Sequence, residues 1–409
     1  MSSAPPAPVL LLSNGHGEDL SGCLLAVALR QRGVAVEALP LVGHGEAYRQ
    51  AGITVLGRTH SYSTGGLGYT SLLGQLTELL QGQPLYLLGR LALLRRLRRR
   101  YALVVAVGDL LPVLGAWLSG RGAVVYLVAY SSHYEGRLRL PWPCGWLLRR
   151  RRIQAVWSRD ALTAADLSEQ LGRAVHFLGN PFLDPVATGG AAATRGEPPC
   201  QHLALLPGSR LPEALRNLEL MLRLLALLPA DLRQPGRLAL EAALVGQLTA
   251  AEIGAMATPL GWRLAAAGEL EGHGLRLALG WGRFAAILHR ADLVLSMAGT
   301  ATEQAVGLAK PVLQLAGRGP QFTAGFAEAQ RRLLGPGLFC APGAPGSAAA
   351  LAAGAALAAE VLGELADQRR AAPLLETLQR QAERRIGPAG GTQRMAAAIM
   401  ERIASPAHG

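Results

Sequence analysis

A short apolar run that breaks on a Gly-Thr turn and continues as a helix constrains this chain more than any other feature. Leu293-Val294-Leu295-Ser296 is bounded by small residues and reads as a strand covered on both faces. It breaks at Ala298-Gly299-Thr300, and a helical pattern then runs through Ala305, Val306 and Leu308 to Lys310-Pro311. Strand, turn and helix in that order aim free backbone N–H groups and the positive end of a helix dipole at an anion. Gly299 lets the backbone come close to a phosphate, and Thr300 can cap the helix or offer its hydroxyl. An ordinary βα turn has the same form, so these residues alone leave the anion open.

The same unit recurs. Val9–Ser13 is a strand, the loop Asn14-Gly15-His16-Gly17-Glu18-Asp19 follows, and Leu20 to Arg32 has helical spacing before a second strand at Val34–Leu39. Leu103–Val107, the helix Pro112–Ser119 and Val124–Ala129 repeat it, with short strands expected at 155–157 and 175–177. Residues 186–201 read as a linker on their Thr-Gly-Gly and Gly-Glu-Pro-Pro runs. A second series starts at His202–Leu206 and continues through a helix at 211–228 and a strand at 238–245. Helices near 249–257 and 281–290, the opening strand and Val312–Leu315 complete it. The expectation is an α/β chain of two Rossmann-like, doubly wound parallel-sheet domains facing across a cleft, residues 1–185 and 202–386. The segment 387–409 ends in a helix that can cross back to the first domain.

Length agrees: 409 residues are enough for two cores. The net charge is +12 and Lys310 is the single lysine, so the basic character is arginine. Phosphate-rich or anionic-membrane partners fit that charge, as does a merely basic soluble protein. Cys23, Cys144, Cys200 and Cys340 are far apart without metal-ligand spacing, which points to a reduced, intracellular setting. The Ser/Pro/Ala-rich start lacks the charged region of a signal peptide. No uncharged apolar run reaches spanning length; the nearest, about 102–118, contains Asp109.

In doubly wound sheets ligands bind beyond the carboxyl ends of strands, so the polar loops after strands are the candidates. Gly15-His16-Gly17-Glu18-Asp19 is a broken dinucleotide fingerprint, with Gly22 misplaced and Glu37 near where a ribose-binding acid would stand. His16 there is a base, a phosphate ligand or part of a plain capping loop. Asp109, directly after a buried strand, is either the N-cap of the next helix or a general base. Pro207-Gly208-Ser209-Arg210 suits a diphosphate, with Arg210 as a planar cation; a capped helix with a solvated arginine is the plainer reading. Gly317-Arg318-Gly319-Pro320-Gln321-Phe322 closes the set.

Two basic clusters stand apart. From Leu85 to Arg100, leucines at 85, 88, 91, 94 and 97 accompany Arg90, Arg95, Arg96, Arg98, Arg99 and Arg100. Such a helix can lie in a membrane interface with leucines down and arginines on head groups; a solvated face or nucleic-acid binding are the rivals. Arg149, Arg150, Arg151 and Arg152 follow Trp142 and Trp146 in the same spirit. No RNA-binding module accompanies them, so nucleic acid is not an expected partner.

At Leu206-Pro207-Gly208-Ser209-Arg210-x-x-Glu213 the chain resembles the lipid-A-disaccharide synthase family. Gly299-Thr300-Ala301-Thr302 matches that family's turn, and Gly179-Asn180-Pro181-Phe182-Leu183-Asp184 is similar to its Gly-His-Pro-Leu-x-Asp, with Asn180 for His. More distantly the chain is similar to the peptidoglycan N-acetylglucosaminyltransferase and to UDP-sugar 2-epimerases, all of GT-B fold. The resemblance implies inverting transfer of a sugar from a UDP-sugar to a lipid acceptor at the cytoplasmic face of a membrane, with no cofactor. It puts UDP at Gly208, Ser209, Arg210, Gly299, Thr300 and Gln321. The family's ribose glutamate falls at Gln304 with Glu303 beside it, so either can serve. Asp109, or else His16, is the implied base, and Asn14, Gly15, Gly17, Glu18 and Asp19 form the acceptor loop. No carboxylate pair of DxD type marks a metal, and none is implied. A UDP-sugar epimerase or hydrolase, or a non-catalytic membrane-associated nucleotide-sugar-binding protein, are the competing readings. The Gln321 loop departs from lipid-A-disaccharide synthase toward the peptidoglycan enzyme.

Overall fold

A computed structural model describes residues 7–57, 59, 83–97, 99–187, 200–265, 268–317 and 324–404. The chain forms two compact units, one of residues 1–184 with 388–409, the other of residues 185–387.

The first unit is built on a seven-stranded sheet of order β3-β2-β1-β4-β5-β6-β7. All its pairings are parallel. Its centre is β1 (Val9–Ser13), β4 (Leu103–Val107) and β5 (Ala123–Leu127), each buried along its whole length. That is why they read as unbroken apolar runs: helices cover both faces. β2 (Val36–Pro40) and β3 (Thr54–Val55) extend one side, β6 (Ile153–Ser158) and β7 (His176–Phe177) the other. The last helix, Gly391–Ala404, packs on the helix His16–Gln31 and buries Met395, Ala396 and Ile399. Asp184 seats it by accepting from the Gly390 and Thr392 N–H groups at 2.6 and 2.8 Å. A Cβ on Gly391 would stand 2.7 Å from the Gly179 backbone, so this close approach requires glycine. Asn180, buried, accepts from Tyr126 Oη and donates to Arg159 O. The Gly179–Asp184 string is thus the seat of the returning helix.

The second unit carries eight strands in the order β10-β11-β12-β9-β8-β13-β14-β15. β8 (Gln201–Leu206), β9 (Leu238–Leu244), β13 (Leu293–Ser296), β14 (Val312–Gln314) and β15 (Leu338–Cys340) run parallel with β12 (Leu275–Trp281). β10 (Trp262–Ala265) and β11 (Glu269–Gly272) fold back as an antiparallel meander on β12. The sequence pattern does not disclose these three strands, and the helix expected at 281–290 begins at Phe284, after β12. The helix Ala348–Ala366 is long and apolar enough to cross a bilayer, yet Leu351, Ala355, Ala358, Val361 and Leu362 lie in the core of this unit. It is a core helix.

The helix Gln83–Leu97 corrects the leucine-down expectation in part. Leu94 is fully buried and Leu91 and Leu97 pack against the first unit's own core, whereas Leu88 is 61% exposed, so only the C-terminal part of the stripe is covered. Arg90 is only 3% exposed, its guanidinium donating to Leu56 O at 2.7 Å and Pro40 O at 2.8 Å. Of the arginines assigned to a membrane, Arg95, Arg96 and Arg99 are exposed, and Arg100 is paired with Glu37. Arg98 lies outside the described residues, as do the side chains of Leu85 and Leu87.

Candidate functional site

Each sheet has one point where successive connections depart in opposite directions, and there the strand ends part to leave a crevice. In the second unit β8 is flanked by β9 and β13, so the switch falls between β8 and β13. The loops leaving those two strands are Pro207-Gly208-Ser209-Arg210 and Met297-Ala298-Gly299.

They touch. Met297 N–H donates to Leu206 O at 2.9 Å, and Gly208, at φ +104°, places its Cβ position 3.5 Å from Met297 O. Asn217, buried on the helix Glu213–Leu225, fixes the turn by donating to Pro207 O at 2.8 Å. On the other side Thr302 Oγ1 bonds Ser296 Oγ and Ala298 O, both at 2.7 Å, and pins the start of the helix Thr300–Gly307 to its strand. Gly299, not Thr300, is the N-cap, and no side chain caps this end. Thr300 is the first helical residue, so its capping role is corrected. The first amides of the helix therefore point away from it. A Cβ built on Gly299 meets no described residue within 4 Å, so the backbone at the helix mouth is open on that side among the described residues.

Ser209 is exposed and Arg210 half-buried beside this mouth. Glu303 and Gln304 sit one residue apart on the helix. Gln304 is 6% exposed, whereas Glu303 is open enough to meet a ligand. Gln321 lies outside the described residues; the loop after β14 is seen only to Gly317.

In the first unit the switch falls between β1 and β4, and Asn14 and Asp109 stand at those two strand ends. Asn14 Nδ2 donates to Asp109 Oδ2 at 2.9 Å, and Asp109 Oδ1 accepts from Leu111 N–H at 2.9 Å. Asp109 is thus the N-cap of the helix Leu110–Leu118, which starts two residues before the expected Pro112. Burial pushes its carboxyl above the ordinary carboxylate value, and the bonds from Leu111 and Asn14 pull the other way. Asn14 Oδ1 is buried with no partner among the described residues. Tyr130, after β5, accepts from Leu110 N–H at 3.2 Å and so stands next to Asp109. The sequence reading passed over it, although it follows a strand end as the chosen residues do.

The expected acceptor loop 14–19 is shorter than its pattern suggests. Only Asn14 and Gly15 are loop; His16 opens the helix, so Gly17, Glu18 and Asp19 form its first turn. Gly15, at φ +126°, makes the sharp entry, and two carboxylates in the first turn favour the dipole. Glu18 Oε2 lies 3.0 Å from the Cβ position of Gly15, and its Cγ 3.2 Å from that of Gly108, so Glu18 lines the crevice. Asp19 turns inward instead. It accepts from Ser13 Oγ at 2.6 Å, which in turn accepts from Tyr48 Oη at 2.9 Å. Burial pushes its carboxyl up to about 7. The side chain of His16 lies outside the described part of the structure. Glu37 is engaged by Arg100 and by Tyr101 Oη at 2.5 Å, which takes the place a ribose would need. Among the described residues no cluster of His, Cys, Asp or Glu has the makings of a metal site.

No protein-family model matches this chain, and no curated protein matches it significantly by sequence. Solved structures do. The chain is similar to CalG4, the calicheamicin glycosyltransferase, at 16% identity over 98% of this chain and 99% of that one, with a TM-score of 0.60. It is similar to Acinetobacter baumannii MurG at 15% identity over 97% and 100%, TM-score 0.54. It is also similar to the Neisseria meningitidis UDP-GlcNAc 2-epimerase bound to UDP-GlcNAc, at 13% identity over 96% and 100%, TM-score 0.51. Identities this low speak for architecture, and what they establish is that the chain has the two-Rossmann α/β fold of the GT-B type.

Proposed function

We propose that this chain is an inverting glycosyltransferase, related to lipid-A-disaccharide synthase, that moves a sugar from a UDP-sugar to a lipid acceptor at the cytoplasmic face of a membrane. The observation that carries the reading is the uncapped mouth of the helix Thr300–Gly307, open in front of Gly299 and flanked by the Gly208–Arg210 loop. A UDP-GlcNAc-bound structure on the same fold supports a nucleotide-sugar donor.

In this reading the diphosphate rests on the amides at Gly299 and Thr300, with Ser209 and Arg210 beside it and Glu303 on the ribose. As the anomeric carbon–oxygen bond breaks, the electron pair goes to the leaving phosphate oxygen. Fixed N–H groups and a guanidinium stabilise that charge, each donor being worth about 2.7–4 kcal/mol of barrier. The acceptor hydroxyl oxygen forms the new bond to the anomeric carbon and gives its proton to the Asp109 carboxylate. Such base catalysis supplies about 10²–10⁴-fold. Asn14, part-buried, with its Nδ2 on Asp109 and its buried Oδ1 without a partner among the described residues, is suited to orient that hydroxyl.

The test is UDP release from UDP-sugars with and without a membrane lipid extract. Release only with lipid is the expected result. Release without any acceptor would favour an epimerase or hydrolase, and UDP binding without turnover would leave a binding protein.

A further inference from the structure

The segment from Arg137 to Arg152 contains six arginines and no carboxylate. Within it Trp142 is 89% exposed and Trp146 45% exposed. These large rings are left in water in a unit that fully buries Tyr48, Tyr101, Tyr126 and Trp157. Trp146 is also packed against neighbours. The Arg150 guanidinium lies 3.6 Å over the Trp146 ring, and Trp146 meets Trp117 edge-on at 5.7 Å.

Beside the tryptophans is a concavity of about 770 Å³ lined by Arg137, Arg139, Leu140, Arg149 and Gln170. Its walls are anchored. Asp166 accepts from Leu138 N–H and Ser132 Oγ, both at 2.6 Å, and Arg149 donates to Gln170 O at 2.5 Å. Arg137 makes an exposed contact of 3.5 Å to Glu169 and its charge is felt at Asp166. Cationic groups around a fixed hollow, bordered by exposed tryptophan, are what the bilayer interface selects: indole at the headgroup level, arginine on phosphate. The helix Gln83–Leu97 has no tryptophan, and its Leu91, Leu94 and Leu97 serve the protein core, although Leu88 is exposed. The helix Cys144–Leu148 also starts near the candidate base, since the Asp109 charge is felt at the buried Cys144 thiol.

We propose that the face formed by Trp142, Trp146, Arg139, Arg149 and Arg150 docks this chain on an anionic bilayer, with Trp142 in the interfacial layer and a lipid phosphate in the arginine-lined hollow. The proposal rests on the lipid-acceptor reading only for why the chain would visit a membrane.

Co-sedimentation of the full chain with vesicles tests it, comparing phosphatidylcholine alone with equal parts phosphatidylcholine and phosphatidylglycerol. The expected result is binding to the anionic vesicles, lowered about tenfold in Trp142→Ala and at least as much in the Arg139→Glu/Arg149→Glu pair. An interfacial arginine is worth about fivefold in partitioning. Arg95→Glu/Arg96→Glu, a reversal of equal charge on the other basic helix, is expected to lower binding far less. Equal losses from the two pairs with none from Trp142→Ala would overturn the proposal, as would equal binding to neutral vesicles or none to either. Saturable binding of inorganic phosphate or of an oligonucleotide without vesicle binding, or a doubled solution mass that hides Trp142 from a collisional quencher, would overturn it too. UDP affinity measured on the same preparations separates the two readings. Failure of the wild-type chain to bind vesicles while it binds UDP counts against this face alone, and vesicle binding by a wild-type chain that does not bind UDP counts against the donor site alone.

Discussion

Asn14 Nδ2 donates to Asp109 Oδ2 at 2.9 Å, joining the ends of the two strands between which the first sheet switches direction. The same carboxylate caps a helix through Leu111, so two donors hold it in one rotamer. Asp109→Asn keeps the shape and an acceptor for Leu111 but removes the proton acceptor. Turnover is expected to fall about 10²–10⁴-fold while UDP affinity stays. Asp109→Ala is the poorer probe, because losing the cap costs about 1 kcal/mol as well. Full turnover in Asp109→Asn would take this residue out of the chemistry.

Asn14→Leu tests the pair from the other side. The bond from Asn14 favours the ionised carboxyl, so its loss raises the Asp109 pKa further above its ordinary value. A base works only when deprotonated, so the acid limb of the kcat/KM profile is expected to move to higher pH. A lower rate with an unmoved limb would show that Asn14 holds the acceptor without tuning the base.

Gly299 separates a structural glycine from one required by a ligand. Its φ of −86° lies outside the left-handed region that demands glycine, and a Cβ there meets no described residue within 4 Å. Gly299→Val is therefore expected to lower Tm by no more than a few degrees, the cost of a poorer N-cap, while weakening UDP binding by tenfold or more. Gly208→Val makes the contrast: at φ +104° it is expected to lower Tm further. If Gly299→Val bound UDP as the wild type does, the diphosphate could not lie against this mouth.

The central strands were legible because burial on both faces writes an unbroken apolar run, as in β1, β4 and β13. The meander β10–β11–β12 was not, since Glu269-Leu270-Glu271-Gly272 alternates for too few residues and ends on glycine. Leucine periodicity in Gln83–Leu97 gave the helix but not its neighbour, because a stripe facing lipid and one facing a core are written alike. The strand-end residues Asn14, Asp109, Gly208 and Gly299 were legible from loop position alone. Which side chains of a helix face the crevice depends on its phase, and one residue turns it by about 100°. That phase separates Glu18 from Asp19 and Glu303 from Gln304.

The last of those pairs gives a double test. Glu303 is part-exposed, whereas Gln304 is buried. Glu303→Ala is expected to weaken UDP binding about tenfold with Tm kept, and to erase any preference for UDP over 2′-deoxy-UDP. Gln304→Ala is expected to lower stability by about 1–3 kcal/mol, as loss of a buried polar group does, with the ribose preference intact. The opposite pattern would move the ribose contact to Gln304.

Asp19 lies 4% exposed behind the crevice, bonded to the Ser13 hydroxyl that ends β1, and burial lifts its carboxyl from 3.8 to about 7. A carboxyl raised on folding stabilises the fold in its protonated form. That contribution is whole below about pH 3.8 and is lost as pH rises to about 7, because the unfolded chain releases the proton first. The loss is on the order of 4 kcal/mol from a shift of this size. Asp19→Asn cannot ionise and still accepts from Ser13. Its Tm is expected to be flatter than that of the wild type from about pH 4 to about 7, and higher at alkaline pH, in a calorimetric series on both proteins. Other carboxylates titrate in the same range, so the difference between the two curves is the readout. Parallel curves would mean that Asp19 is ionised in the folded chain at low pH, with the Ser13 and Tyr48 hydroxyls stabilising its charge more than burial opposes it.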